Sequence, residues 1–213
     1  MIEYKTISLA DQVHERLEQG ILSGLYPPGE ILSEKRLAAE LGVSRTPIRE
    51  ALSRLQYDKL IKDTPQGSEV LGISKDDVED MFYVKKQLEV STTVKAAKRM
   101  SPEELAAIRA VLDQQEYFAS KGDAKKVRDL DTEFHDLIYA ASGSTTLQGI
   151  LSSIHHKLMK FRRVSLENEE RILDSVAEHR AICDALEAGM AKDVERLMKA
   201  HLDNAYDSIM GGM

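Results

Sequence analysis

Apolar residues recur every three to four positions along most of this chain, which is the spacing of helices with one buried face. Before Gly72 these stripes are short and separated by Gly and Pro. They comprise Leu9, Val13, Leu17 and Ile21; Leu37, Ala38 and Leu41; and Ile48, Ala51, Leu52 and Leu55. Two strand-like runs, LIKD and SEVL, follow around Pro65-Gln66-Gly67. This order predicts three helices and a two-stranded wing, the plan of a winged helix-turn-helix domain.

Residues that start and stop helices support this division. Ser33 and Ser44 stand where N-caps are needed, and Gly42 stands where the second helix must end. The stretch GLYPPGEIL is rich in turn-forming residues, so we interpret it as a tight turn between the first two helices.

Beyond Gly72 the chain has a single proline, Pro102, and helical periodicity throughout. Ser101 and Glu104 have the spacing of a capping box, and glycines at 122, 143 and 189 suit helix ends. Six helices are predicted, over 75–99, 102–121, 123–142, 145–166, 169–188 and 191–210. We therefore expect a mainly α protein, with a winged helix-turn-helix domain at 1–72 and an all-α helical bundle at 73–213.

The composition narrows the class of protein. Apolar residues make up 42% of the chain and charged residues 31%, which argues against intrinsic disorder. No apolar run approaches the roughly 18 residues of a membrane helix, and the first residues lack the apolar core of a signal peptide. The single cysteine, Cys183, excludes an intrachain disulfide and a cysteine-based zinc knuckle. We expect a cytoplasmic protein with no membrane partner.

The net charge of −7 would by itself argue against binding to nucleic acid. The charge is unevenly distributed, however. Between Ser33 and Lys62 there are seven Lys or Arg residues and four Asp or Glu residues. This local positive excess lies on the predicted helix-turn-helix and the start of the wing, so the whole-chain charge does not exclude a DNA-binding domain.

The candidate DNA-binding residues lie on the second and third helices. They are Lys35, Arg36, Ser44, Arg45, Thr46 and Arg49. Arg45, Thr46 and Arg49 fall opposite the apolar stripe, where a recognition helix presents polar side chains to base edges. Ser44 and the N–H groups at the helix start suit a phosphate, while Lys35 and Arg36 are placed to contact the DNA backbone. The same spacing also suits a solvated basic face.

The segment ILSGLYPPGEILSEKRLAAELGVSRTPIREALSRL resembles the DNA-binding signature of the GntR family of bacterial transcription regulators. Within it, SRTPIREAL is the most specific part. In that family a basic residue after Ser-Glu, two arginines of the recognition helix and the wing-tip glycine contact the operator. The resemblance implies that Lys35, Arg45, Arg49 and Gly67 do so here, although many members have Arg at the position of Lys35.

Four ionisable residues of the second part lie on apolar helical stripes: Asp131, His135, His179 and His201. An unpaired Asp or a charged His in a helical core is costly. A divalent cation held by one carboxylate and three imidazoles would remove that cost, in the way that bundles build metal sites from facing helices. These ligands favour zinc, with nickel, cobalt or manganese as alternatives. The other interpretation is that each His is only hydrogen-bonded within the core.

The motifs LDTEFHDLIYAASGS, EHRAI and HL around these four residues resemble the metal-binding motifs of the FCD domain, the effector domain of the FadR subfamily. The resemblance implies that Asp131, His135, His179 and His201 are the metal ligands. Six helices resemble the shorter, VanR-like variant of that domain. Lys85 stands where the family often has an Arg that helps to bind acid effectors, so the resemblance implies an effector contact there.

Two further candidates for effector binding are His155 and Arg162, which lie two turns apart on one edge of a predicted helix. They would reach an anionic effector held at the metal, and surface exposure is the alternative. Cys183 lies one turn from His179, but we interpret it as a small core residue.

Together these features predict a metal-containing transcription regulator, expected to be a repressor controlled by a small carboxylate metabolite. Because two-fold dimers bind half-sites related by the same symmetry, we expect a homodimer on palindromic operator DNA. One alternative is a metal-dependent enzyme that uses the same Asp and His residues to activate water. It is disfavoured because no separate nucleophile or acid/base pair accompanies them. A second alternative is a regulator whose polar cluster binds effector without metal.

Overall fold

The structure is a computed structural model that describes residues 8–165 and 169–211, and the side chains of residues 160–165 and 169–170 are outside this description. The chain divides between Ser74 and Lys75 into two compact units, called here the N-terminal unit and the C-terminal unit. Over the described residues the protein is mainly helical, which confirms the predicted fold class. None of the described helices is both long and apolar enough to cross a membrane.

From Ser8 onwards, where the structure describes it, the N-terminal unit contains three helices and three short strands. They are α1 (Leu9–Leu22), β1 (Ile31–Leu32), α2 (Glu34–Leu41), α3 (Arg45–Tyr57), β2 (Ile61–Thr64) and β3 (Gly67–Val70). The Ser33 side chain accepts from the Arg36 amide, and Gly42 ends α2 in the left-handed conformation, as predicted. The apolar stripes of the three helices meet in one core that also includes Leu32, Ile61 and Val70.

The sheet has one strand more than predicted, in the order β1-β3-β2 with antiparallel pairing. The tight turn in GLYPPGEIL is present, closed by the Glu30 amide donating to the Pro27 carbonyl at 3.1 Å. The two residues after it leave the turn extended, and Leu32 pairs with Ser68 while its side chain enters the core. A two-residue strand is too short to show an alternating pattern, so the sequence predicts only the turn.

Two local expectations in this unit are wrong. Leu9 belongs to the predicted buried stripe of α1, but it is 48% exposed because it is the first residue of the helix, and Ala10 is buried in its place. Ser44 occupies the N-cap position of α3, but its side chain makes no capping hydrogen bond.

The described residues of the C-terminal unit form the six predicted helices, with ends within two residues of the expected positions. They are α4 (Lys75–Ala97), α5 (Pro102–Ser120), α6 (Ala124–Ala141), α7 (Thr145–Ser165), α8 (Glu169–Glu187) and α9 (Ala191–Met210). The Ser101–Glu104 capping box starts α5 as predicted. Apolar side chains of α5, α6, α8 and α9, together with Ala96 of α4, form the core, and Cys183 is one of them.

Helix α4 turns a stripe of polar side chains inward. Lys85, Glu89, Thr92 and Thr93 are all buried. The two threonine hydroxyls donate to carbonyl oxygens one turn back, at 2.7 and 2.8 Å, so their burial leaves no donor unpaired. Lys85 and Glu89 lie one turn apart and pair with each other. This polar stripe brings charged groups to the middle of the bundle.

Candidate functional site

In the N-terminal unit, α3 presents the predicted DNA-binding residues on its outer side. Arg45 and Thr46 are exposed, while Ile48 on the opposite side is fully buried. The guanidinium of Arg49 is exposed as well, but Nε donates to Glu34 Oε1 at 2.7 Å. This contact orients Arg49 across the outer surface of α2 and α3.

The basic residues of α2 are also on the surface. Lys35 is exposed, and Arg36 Nη2 donates to Glu30 Oε1 at 2.6 Å. Because the hydroxyl of Ser44 is exposed and makes no capping bond, it remains available beside the first N–H groups of α3. The start of α3 therefore keeps the donors that a phosphate would need.

Gly67, the predicted wing-tip contact, is the first residue of β3 and has φ +137°. A Cβ built there would lie 2.9 Å from the Leu32 carbonyl oxygen, which is closer than a methyl group tolerates. Both the backbone conformation and the approach of β1 therefore require glycine at this position.

A groove between α3 and the wing contains both Arg49 and Gly67. Gln56 of α3 and Asp63 of β2 line it too, and the sequence interpretation identified neither. The signal for Gln56 was present, since it lies seven residues after Arg49 and hence on the same side of the helix. The remaining predicted contacts, including Lys35 and Arg45, lie outside this groove.

In the C-terminal unit, the four predicted metal ligands come together at the centre of the bundle. Asp131 and His135 lie on α6, His179 on α8 and His201 on α9, and all four are buried. The three imidazoles have ring centroids 4.8–5.3 Å apart, and one ring nitrogen of each lies within 4.8 Å of the others. The Oδ1 atom of Asp131 lies 3.7 Å from His179 Nε2.

The outer ring nitrogen of His179 is held by Gln115 of α5. The Gln115 amide Nε2 donates to the Val127 carbonyl at 3.3 Å, so its oxygen faces His179 Nδ1 at 2.9 Å. An amide oxygen only accepts, hence His179 must donate from Nδ1 and carry its lone pair on Nε2. His179 Nε2 is buried and makes no hydrogen bond.

His201 is oriented in the same way by Glu178. Its Nδ1 donates to Glu178 Oε2 at 2.6 Å, and Arg171 donates to both oxygens of that carboxylate. Partial burial opposes ionisation of Glu178, but the hydrogen bonds from His201 and Arg171 prevail and lower its pKa to about 2. An ionised acceptor at Nδ1 keeps the lone pair of His201 on Nε2.

His135 has a carboxylate at the same position. Its Nδ1 lies 2.7 Å from Glu89 Oε1, although the alignment is not that of a hydrogen bond. Burial alone would raise the pKa of Glu89, yet the positive charge of Lys85 and the neighbouring His135 hold it well below its usual range. His179 and His201 thus donate from Nδ1 to an oxygen acceptor, and His135 has a carboxylate oxygen close to Nδ1. Oxygen groups at the outer nitrogen are typical of metal-binding histidines.

His155 of α7 lies in the same cluster. It is 3% exposed, and its Nε2 is 3.3 Å from Asp131 Oδ2. Burial, together with His135 and Lys85, lowers the pKa of His155 to about 3. The surface-exposed alternative for His155 is therefore wrong, because the ring lies inside the bundle. Arg162 lies in α7, but its side chain is outside the described residues.

A cavity of about 30 Å³ adjoins the cluster. Its polar lining includes Lys85, Asp131, His135, His155 and His201, and its apolar lining includes Phe82 of α4 and Leu158 of α7. Lys85, the predicted effector contact, is therefore at the cavity wall, although its ammonium is already paired with Glu89.

The donor set fits a transition metal ion. Buried imidazole nitrogens without hydrogen bonds, a carboxylate between them and oxygen acceptors behind the rings are the components of such a site. Sequence interpretation did not assign roles to Gln115, Glu178 or Glu89. The signals were weak: Glu178 directly precedes His179, and Glu89 lies one turn after Lys85.

Both units match families of known proteins. Residues 80–204 match the FCD domain, and residues 9–69 match the bacterial regulatory proteins of the gntR family. This chain belongs to the GntR family. Its FCD domain places it with the FadR-type members, so this GntR protein is a DNA-binding transcription regulator, and its relatives and fold are those of regulators rather than enzymes.

The relatives of this GntR chain include named repressors. The gluconate operon transcriptional repressor of Bacillus licheniformis is 28% identical over 203 residues, covering 92% of this chain and 81% of the relative. The transcriptional repressor RspR of Escherichia coli is 26% identical over 199 residues, covering 93% and 87%. The solved structure of E. coli McbR/YncC has a TM-score of 0.71 at 23% identity and covers 93% of this chain and 95% of its own, which shows a shared fold.

Proposed function

We propose that this GntR regulator is a repressor whose operator binding is controlled by a small carboxylate metabolite at a divalent metal ion in the FCD domain. The metal ligands are Asp131, His135, His179 and His201. The observation that carries this proposal is the unpaired, buried Nε2 of His179 facing the Asp131 carboxylate, with Gln115 fixing the tautomer. A buried imidazole lone pair with no partner is costly unless something binds it.

The metal ion would supply a Lewis-acidic centre for a carboxylate oxygen. The chain's own residues would do the rest. Lys85 and His155 line the cavity where an anion would sit, and Phe82 and Leu158 exclude water from one side. We keep Arg162 as a candidate contact from sequence alone.

The volume of the cavity limits the size of the effector that it can hold without a change in helix packing. About 30 Å³ holds little more than a water molecule or two. An effector larger than a few atoms must therefore move helices apart as it binds. Since α4, α7 and α9 all contribute to the wall, effector binding would change how these helices pack.

On the DNA side, we propose that Arg45, Thr46 and Arg49 contact base edges while Lys35, Arg36, Ser44 and Gly67 contact the backbone. Arg49 would exchange its contact with Glu34 for the operator. A homodimer would bind the two halves of a palindrome.

The proposal is tested with the full-length protein purified without added metal. Fluorescence anisotropy with its own upstream DNA should give salt-dependent binding that exceeds binding to a random duplex of equal length. Elemental analysis should find a stoichiometric transition metal in the wild type and in His156→Ala, an exposed histidine of α7. His179→Ala should lose it.

Equal metal content in wild type and His179→Ala would refute the assigned metal site while leaving DNA binding intact. Operator binding that does not respond to any of a panel of small carboxylates, with metal present, would refute the effector class.

A further inference from the structure

We propose that His155 is a fifth protein ligand of this metal centre, so that the protein supplies four imidazole nitrogens and one carboxylate oxygen. The inference rests on the proposed metal site and changes what that site can bind. A six-coordinate ion held in this way would keep a single open position for the effector.

The position of Asp131 carries the argument. Its two carboxylate oxygens face different histidines: Oδ1 lies 3.7 Å from Nε2 of His179, and Oδ2 lies 3.3 Å from Nε2 of His155. The ligand atoms of Asp131, His135 and His155 all lie within 4.8 Å of one another. His155 therefore approaches Asp131 in the same way as His179 does, but at the other carboxylate oxygen.

The bonding of His155 supports the same role. Its Nε2 is buried and makes no hydrogen bond, because the approach to Asp131 is poorly aligned. The ring centroid lies 4.5 Å from that of His135, whose own Nε2 is directed away from Glu89. His155 thus offers a buried ring nitrogen without a hydrogen-bond partner to the same cluster.

A fifth protein ligand alters the choice of metal and of effector. Zinc in proteins is commonly four-coordinate, whereas nickel, cobalt and manganese accept six ligands. Five protein ligands favour the latter group. They also leave room for only one oxygen of an effector carboxylate, so a chelating hydroxy acid would have no advantage over a simple monocarboxylate.

Cobalt(II) tests this on the full-length, metal-stripped chain, because its visible absorption reports coordination number. We expect weak bands typical of a six-coordinate ion in the wild type. In His155→Ala the affinity for cobalt should fall by at least about tenfold, whereas His156→Ala should leave it unchanged. Acetate and lactate should then bind the wild-type complex with similar affinity.

A second variant gives a signature that a merely structural role cannot produce. In His155→Cys a thiolate would replace the imidazole, and a sulfur-to-cobalt charge-transfer band should appear in the near ultraviolet. His156→Cys is the matched control and should show no such band, with the wild type, which contains Cys183, as the blank.

Wild-type affinity and spectrum in His155→Ala, or no charge-transfer band in His155→Cys, would overturn the proposal. Either result would leave the proposed metal site itself intact, because the wild-type protein would still bind cobalt. Failure of the wild type itself to bind cobalt stoichiometrically would instead refute the proposed metal function, and this inference with it.

Discussion

Each unit of this regulator contains an ion pair between a base and a glutamate, and the two pairs differ in burial. In the N-terminal unit Arg49 and Glu34 have side chains 66% and 34% exposed. In the C-terminal unit Lys85 and Glu89 are 4% and 0% exposed. An exposed pair costs little to open, whereas a buried one cannot lose a partner without leaving an uncompensated charge. The exposed pair thus leaves Arg49 available for DNA, while the buried pair holds Lys85 and Glu89 in the middle of the bundle.

The largest effect that this comparison predicts is on folding. Glu89→Ala should lower the free energy of unfolding by about 3–5 kcal/mol, because Lys85 would stay buried without its partner. Urea titration followed by circular dichroism measures the change. Glu34→Ala, which opens the exposed pair, should unfold at the wild-type midpoint. Equal losses in the two variants would remove the distinction between the units.

The pH dependence of stability tests the effect of burial in the C-terminal unit. Burial lowers the pKa of His155 to about 3 and lowers the pKa of His179 and His201 below 6.5. The unfolded chain therefore takes up protons near pH 6.5 that the folded chain does not. Stability of the metal-free protein is full above that pH and is lost as the pH falls, by about 1.4 kcal/mol per pH unit for each such histidine.

Unfolding free energies measured by urea titration across this range provide the check. Metal-free His155→Leu should show a shallower slope by one histidine. A slope unchanged by this substitution would mean that His155 titrates alike in both states, which its burial does not allow.

In the N-terminal unit, exposed basic residues are expected to affect DNA binding rather than folding. Arg49→Ala and Arg45→Ala should each weaken operator binding by about ten- to a hundredfold, as expected for the loss of a base contact, with no change in the unfolding midpoint. Arg16→Ala, which removes an exposed base of α1 outside the predicted surface, is the control. An equal loss in Arg16→Ala would indicate a general effect of charge on DNA affinity.

The smallest effects are expected at two glycines, one in the wing and one in α7. Gly67→Ala should cost about 1–2 kcal/mol through its φ and the close Leu32 carbonyl. Gly149→Ala lies on α7 with nothing within 4 Å of the new methyl group, so it should stabilise the protein by about 0.5–1 kcal/mol. Differential scanning calorimetry of both variants separates strain from helix propensity, and stabilisation in both would disprove the strain.

Much of the C-terminal unit could be predicted from sequence, because long amphipathic helices and their caps are local features. Polar residues that interrupt those apolar stripes were enough to predict that Asp131 and His179 meet in one buried cluster, as they do in the structure. Glu89 and Gln115 were missed for a physical reason: their partners, His135 and His179, lie 46 and 64 residues away in the chain. A pattern within a short stretch of sequence does not reveal contacts between residues so far apart. Strand β1 was missed because two residues show no alternating pattern and because its pairing partner, β3, is distant in the chain.

That short strand has a consequence for regulation. Leu32 pairs with β3, its carbonyl abuts Gly67, and the next residue, Ser33, caps the helix that carries Lys35 and Arg36. The wing and the helix-turn-helix are therefore joined through β1. We therefore expect any regulatory signal to act on the wing and the helices together rather than on the wing alone. A DNA-binding unit joined in this way is expected to keep its operator preference when it is fused to a different sensor domain.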